Sequence, residues 1–194
     1  MSKPTLMVLF TSIAISLSSF SSVAALTLDK SQSSVNFVST KNQHISEQHT
    51  FDNYSGQLDD QGKLTITIDI MSVNTLIPIR NERMQKMFFN MSEYSVATFT
   101  AQIDSALTKL QAGELKRTTI TGEMTIAGNT APVSFDVALI GLKNGSINAT
   151  TVKPTIISTT AFNLDDGVSA LQQVAMLQSI SKAVPLSFSA TFSQ

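Results

Sequence analysis

The sequence predicts an all-β protein with two short helices, and three observations carry that prediction. From about residue 33 onward, apolar residues alternate with small polar ones at period two, the mark of strands with one buried face. Short turn sequences rich in glycine, asparagine and aspartate separate these runs, which makes neighbouring strands antiparallel. Two segments break the period and take helical spacing instead. About eight strands in a meander with one apolar face favour closure into an antiparallel β-barrel, because closure leaves no exposed edge. An open sandwich is the structural alternative.

The elements follow in order. Val35 and Phe37 alternate with Ser34, Asn36 and Ser39; Leu64, Ile66, Ile68 and Ile70 alternate with Thr65, Thr67 and Asp69. Phe99, Ala101 and Ile103 make a third such run, and Ile120, Met124 and Ile126 a fourth. Val133, Phe135, Val137 and Leu139 follow, then Ile147 and Ala149, and finally Leu186, Phe188, Ala190 and Phe192. The intervening turns are Asp59-Asp60-Gln61-Gly62, Gln111-Ala112-Gly113, Ala127-Gly128-Asn129 and Lys143-Asn144-Gly145; the Asn-Gly pair suits a type I′ hairpin. Helical spacing over Ile77 to about Asn90 places Ile79, Met84, Met87 and Phe88 near one face, with Pro78 tolerated in the first turn. Asp165 or Asp166 can cap a second helix running to about Gln178, with Val168, Leu171, Ala175 and Met176 at helical spacing. Both helices read as plugs or flaps on the barrel.

Composition narrows the function classes. The chain has 194 residues, a net charge of −1 and no cysteine. Its length fits one domain with a sizeable core. Without cysteine there are no disulfides, thiolate nucleophiles, iron–sulfur clusters or cysteine zinc sites. With no basic cluster, nothing provides the phosphate-neutralising footprint that nucleic-acid binding requires.

Residues 1–25 carry the three regions of a secretory signal. Lys3 is basic, Leu6 to Leu17 is apolar apart from Thr11, Ser12 and Ser16, and Val23-Ala24-Ala25 supplies small residues for cleavage after Ala25. The apolar stretch is too short for a spanning helix of about 20 residues. A soluble domain over residues 26–194, exported to a bacterial periplasm, is expected.

Catalytic groups are sparse. The histidines are His44 and His49, with Glu47 between and Asp52 after. Spacing of i, i+5 shares a face on neither helix nor strand, so a metal site there is disfavoured. Asp59-Asp60 and Asp165-Asp166 fit local turn and helix-start bonding. There is no Ser/His/Asp ordering and no phosphate-cradling glycine loop. An eight-stranded barrel, by contrast, is either filled by side chains or holds one slender ligand; the pattern leaves both open. A ligand burying about 400 Å² of apolar surface would gain on the order of 10 kcal/mol before entropic costs.

Specific motifs then match a known family. Gly122-Glu-Met-Thr-Ile-Ala-Gly128-Asn-Thr130-Ala-Pro132-Val133 resembles the G-x-L-T-I-x-G-x-T-x-P-V hairpin of the YceI-like, polyisoprenoid-binding periplasmic proteins, with Met124 in the leucine place. Ser34-Val35-Asn36-Phe37, Phe51-Asp-Asn-Tyr54-Ser-Gly56 and Ser72-Val73-Asn74-Thr75 are similar to that family's upstream segments, as is Arg80-Asn-Glu-Arg83-Met84 followed by Phe88-Phe89. Ser95 stands where the family usually has proline, and Glu82-Arg83-Met84 lacks its frequent histidine. The Asp165–Ile180 segment replaces the common W-G-containing end.

The resemblance implies a lipocalin-like extended barrel around an amphiphile with a long isoprenoid tail, such as a polyprenyl phosphate or quinone-type lipid. It implies no catalytic residues and no cofactor. Combined with the strand pattern, it makes Val35, Phe37, Ile66, Ile68, Phe99, Ile103, Ile120, Met124, Phe135 and Val137 candidates for a tail tunnel. Arg80, Arg83 and Lys86 are head-group candidates, since a guanidinium holds an anion through paired hydrogen bonds; a solvated helix face is the other reading of these three. The expected protein is a non-enzymatic carrier or scavenger, monomeric or homodimeric, in transient contact with the inner membrane. Alternatives are a periplasmic stress or interaction protein with a filled barrel, and a metal-dependent hydrolase using His44, Glu47 and His49.

Overall fold

The computed structural model describes residues 25–90 and 92–194; the export signal read at 1–25 lies outside them except for Ala25. Eleven strands form one antiparallel sheet: β1 (Leu26–Lys41), β2 (Ile45–Phe51), β3 (Tyr54–Leu58), β4 (Lys63–Asp69), β5 (Val73–Asn74), β6 (Val96–Gln102), β7 (Leu115–Ile126), β8 (Asn129–Gly141), β9 (Ile147–Thr151), β10 (Thr155–Ser158) and β11 (Ala183–Ser193). Eight of them close into a barrel in the order β1-β3-β4-β6-β7-β8-β9-β11, and β11 returns to β1. The closing seam pairs Thr27 with Ser193, Val35 with Phe188 and Phe37 with Leu186. The closed barrel therefore replaces the open sandwich.

Strand β1 begins earlier than the apolar alternation indicated, because Asp29 interrupts it. Ser31 N–H and Ser31 Oγ both donate to Asp29 Oδ1, and Ser33 Oγ donates to the Asp29 carbonyl. This side-chain bonding bulges the strand between Asp29 and Ser34. Below the bulge β1 pairs with β3 through Leu26 and Leu58; above it β1 pairs with β2 from Asn36 to Lys41. With β5 added to β2 and β10 added to β11, the sheet extends beyond the barrel at its upper end, where the β7–β8 turn also lies.

Turn chemistry sets the hairpins. Asn144 (φ 62°, ψ 25°) and Gly145 (φ 73°) adopt the two left-handed positions of a type I′ turn. At the β7–β8 turn, Ala127 and Gly128 are both left-handed, and a Cβ on Gly128 would lie 2.6 Å from the Tyr94 ring. Asp59 Oδ1 accepts the N–H groups of Gln61 and Lys63, the local turn bonding expected of the Asp-Asp pair.

The first helical segment is shorter and less regular than its spacing implied. Helix α1 (Pro78–Arg83) passes into a π-helical turn over Met84–Phe88, where Phe89 N–H bonds the Met84 carbonyl five residues back. Helix α2 (Asp165–Val174) is capped by Leu164, not by either aspartate. Asp165 sits inside the first turn, where its carboxylate accepts from Thr159, Thr160 and Lys182 and so is unavailable as a cap. The helix also stops before Met176, which lies at φ 51° and is almost wholly exposed instead of joining the apolar face. Gly167 lets α2 approach the π-helical turn, with Phe88 Cα at 2.9 Å from where a Cβ would stand.

The lower end of the barrel is filled by Leu26, Leu58, Ile103, Leu110, Leu139 and Ile147, all buried. Above them an edge-to-face row of Phe99, Phe135 and Phe188 crosses the middle, with neighbouring ring centroids 5.2 and 5.3 Å apart. Among the described residues no helix is long and apolar enough to cross a membrane.

Candidate functional site

Two apolar cavities occupy the middle and upper barrel. The inner one, about 100 Å³, is walled by Val35, Ile66, Ile68, Phe99, Ile120 and Phe135 together with Leu28, Tyr54, Leu64 and Phe188. The outer one, about 300 Å³, lies beneath α1, the π-helical turn and α2; its walls include Phe37, Phe51, Phe88, Phe89, Phe162, Leu171 and Leu177. Met124 and Leu186 belong to both walls. These two side chains stand between the two spaces.

Of the ten tail-tunnel candidates, eight border this interior: Val35, Ile66, Ile68, Phe99, Ile120 and Phe135 the inner cavity, Phe37 the outer, and Met124 both. Ile103 and Val137 border neither. Ile103 belongs to the filled lower end, where its N–H bonds the Gly62 carbonyl, and Val137 is completely buried in packing.

Charge is confined to the outer cavity. Its walls carry Lys41, Arg80 and Arg83 against Glu47. Glu47 Oε2 receives Lys41 Nζ at 2.6 Å and Arg80 Nη1 at 2.8 Å, and Arg80 Nη2 donates to the Thr75 carbonyl at 2.6 Å. The Lys41 hydrogen bond, joined by the Arg80 charge, holds the Glu47 carboxyl below its ordinary range against the opposing effect of burial. Arg80 thus ties α1 to β2. Arg83 makes no ion pair among the described residues, and it faces the same cavity. Lys86, the third head-group candidate, is exposed, bonds Glu82 at 2.7 Å, and does not line the cavity.

His49 is 3% exposed, stands 5.2 Å from the Phe37 ring, and shares a hydrogen bond of 2.8 Å between Nε2 and Ser39 Oγ. Burial lowers its pKa, and the Arg80 charge adds to that, so the neutral ring is favoured. His44 is exposed in the β1–β2 turn. His44, Glu47 and His49 therefore assemble no metal-holding group, and none of three or more His, Asp or Glu occurs among the described residues. Sequence patterning missed β2 as a cavity wall. Glu47, His49 and Phe51 do alternate at period two there, but two of the three are polar, so an apolar count passes over them.

Comparison with known proteins places this geometry. The model of the YceI-like domain matches residues 26–192. A polyisoprenoid binding domain from Saccharophagus degradans, described as implicated in plant cell wall breakdown, is 32% identical; the match covers 88% of this chain and 98% of that one, with a TM-score of 0.84. BcnA of Burkholderia cenocepacia (21% identity, 84% and 98% coverage, TM-score 0.65) and the YCEI protein of Campylobacter jejuni (20% identity, 98% and 97% coverage, TM-score 0.52) share the fold. No curated protein matches the chain. A family match over almost all of the described barrel, joined to a close structural relative, makes this chain a member of the YceI-like family.

Proposed function

We propose that this protein is an exported, non-enzymatic carrier that shields a long-chain isoprenoid-type amphiphile inside its barrel. One observation carries the reading: two apolar cavities meet at Met124 and Leu186, and only the outer one has charged walls. A molecule with a long apolar tail and one polar end fits that asymmetry. The tail occupies the inner cavity and passes Met124, while the polar end stays near Arg83. The polyisoprenoid-binding relative supports the ligand class.

Arg80 and Lys41 already share Glu47, so the polar end meets Arg83, which makes no ion pair among the described residues, instead of three free cations. Arg83 alone serves a quinone carbonyl or a single phosphate. Export to the periplasm rests on the signal-like residues 1–25, and N-terminal sequencing of the secreted protein should read from Leu26.

The functional test is thermal unfolding with added polyprenyl phosphate, quinone of matched chain length, and a short-chain control. A ligand that binds only the folded state raises the melting temperature with concentration. The long-chain lipids should do so and the short control should not; no shift with either long-chain lipid removes the carrier reading.

A further inference from the structure

We infer that the cavity mouth is a membrane-docking surface, with Leu76 and Met176 as its inserting side chains. The inference rests on the carrier reading for its purpose, but not for its observations. Leu76 is 86% exposed and Met176 is 92% exposed, the two most exposed large apolar side chains among the described residues. Both sit at the rim. Leu76 immediately precedes the cavity-lining Ile77, and Met176 lies between the lining residues Ala175 and Leu177.

Backbone conformation makes the placement costly. Leu76 has φ 62° and Met176 φ 51°, a left-handed region that leucine and methionine rarely occupy and that asparagine tolerates far better. An exposed turn built for stability alone would carry asparagine or glycine at both places. Here two strained positions hold large apolar side chains in water, each next in sequence to residues that line the same cavity.

The occupant that suits them is a bilayer with anionic lipid. Ile77 and Ile79 are themselves partly exposed while lining the cavity, so the apolar rim is continuous with the apolar interior. A chain crossing it from a bilayer keeps apolar contact along the way, which lowers the cost of exposing its methylenes to water. Of the three cations in the cavity's walls, Lys41 and Arg80 share Glu47, and Arg83 makes no ion pair among the described residues. That local positive excess complements an anionic surface.

The test is co-sedimentation of the purified protein with vesicles of phosphatidylethanolamine and phosphatidylglycerol, and with phosphatidylcholine vesicles, for wild type, Leu76→Asn, Met176→Asn and the double variant. Wild type should sediment with both and more tightly with the anionic vesicles. The double variant should partition at least about tenfold less, with an unchanged or higher melting temperature, because asparagine relieves the backbone. Each single variant gives a smaller loss and covers failure of the pair to fold. Wild-type protein that stays in solution, or variants that sediment equally, overturns the inference. So does a wild-type dimer that the substitutions convert to monomer without altering vesicle binding, since the rim would then serve a second copy of the chain. Native mass spectrometry of the same preparations reads the cargo separately: loaded protein that ignores vesicles removes the docking surface alone, and empty protein that still docks removes the carrier reading alone.

Discussion

Arg80 of α1 donates from Nη1 to Glu47 of β2 at 2.8 Å, joining the mouth of the outer cavity to the sheet extension above the barrel across 33 residues of sequence. Both side chains are about a quarter to a third exposed, so the pair belongs with partly solvated bridges worth about 1 kcal/mol. A double-mutant cycle of Arg80→Met and Glu47→Gln, followed by urea unfolding, should give a coupling of that size. Glu47→Gln should cost more than Lys41→Met, because it removes the counter-charge of two cations at once. Additive single effects would show that α1 is held by its apolar face instead.

Met124 stands where a tail reaching from the outer to the inner cavity would pass. Its flexible side chain borders both spaces and can yield to a passing tail, whereas a rigid ring cannot. Met124→Phe should therefore weaken binding of a long isoprenoid lipid by about tenfold or more, while an amphiphile short enough for the outer cavity binds as before. Fluorescence titration with chains of graded length checks this. Equal loss for short and long chains would mean the inner cavity takes no part.

His49 gives stability a pH dependence. Burial places its folded pKa below the ordinary 6.5, so between the two values the unfolded chain binds a proton that the folded chain does not. Its contribution is therefore complete above about pH 6.5 and is lost as the pH falls through the folded value, with a slope of up to about 1.4 kcal/mol per pH unit. Urea unfolding between about pH 8 and pH 5.5 should show that slope in wild type and not in His49→Gln. Parallel profiles would assign the slope to other groups.

Gly128 was visible in sequence as a motif residue, and its reason is the turn. It needs a left-handed backbone (φ 76°) and leaves room for the Tyr94 ring. Gly128→Ala should cost about 1–3 kcal/mol by combining backbone strain with a displaced ring. Gly128→Ala in a Tyr94→Ala background should recover the steric part only, and full recovery would deny the strain.

These residues show what sequence could and could not disclose. Strands with alternating apolar faces were legible, and so was the Asn144-Gly145 turn, because local chemistry dictates both. The start of β1 was hidden by Asp29, whose side chain reorganises the backbone around it. The second helix departed from its spacing at both ends for tertiary reasons: Asp165 is drawn to Thr159, Thr160 and Lys182 instead of capping, and beyond the helix Gln178 N–H bonds Asn42 Oδ1, 136 residues away. Eight of the ten tunnel candidates border a cavity because inward-facing residues of a hollow barrel do so by geometry. Alternation could not tell at which height the barrel fills, and there Ile103 and Val137 separate from the rest. Nor could it show that Glu47 engages Arg80 and not Arg83, since that choice depends on where β2 meets α1.

The central claim is tested most directly by the mass of what the protein carries. Native mass spectrometry of wild-type protein purified gently from its own cells, with lipid extraction alongside, should find one long-chain isoprenoid-type amphiphile per barrel. Phe135→Leu should retain that cargo and Met124→Phe should lose it. Wild-type protein that is empty as purified, and stays empty after incubation with polyprenyl and quinone lipids, would contradict the account.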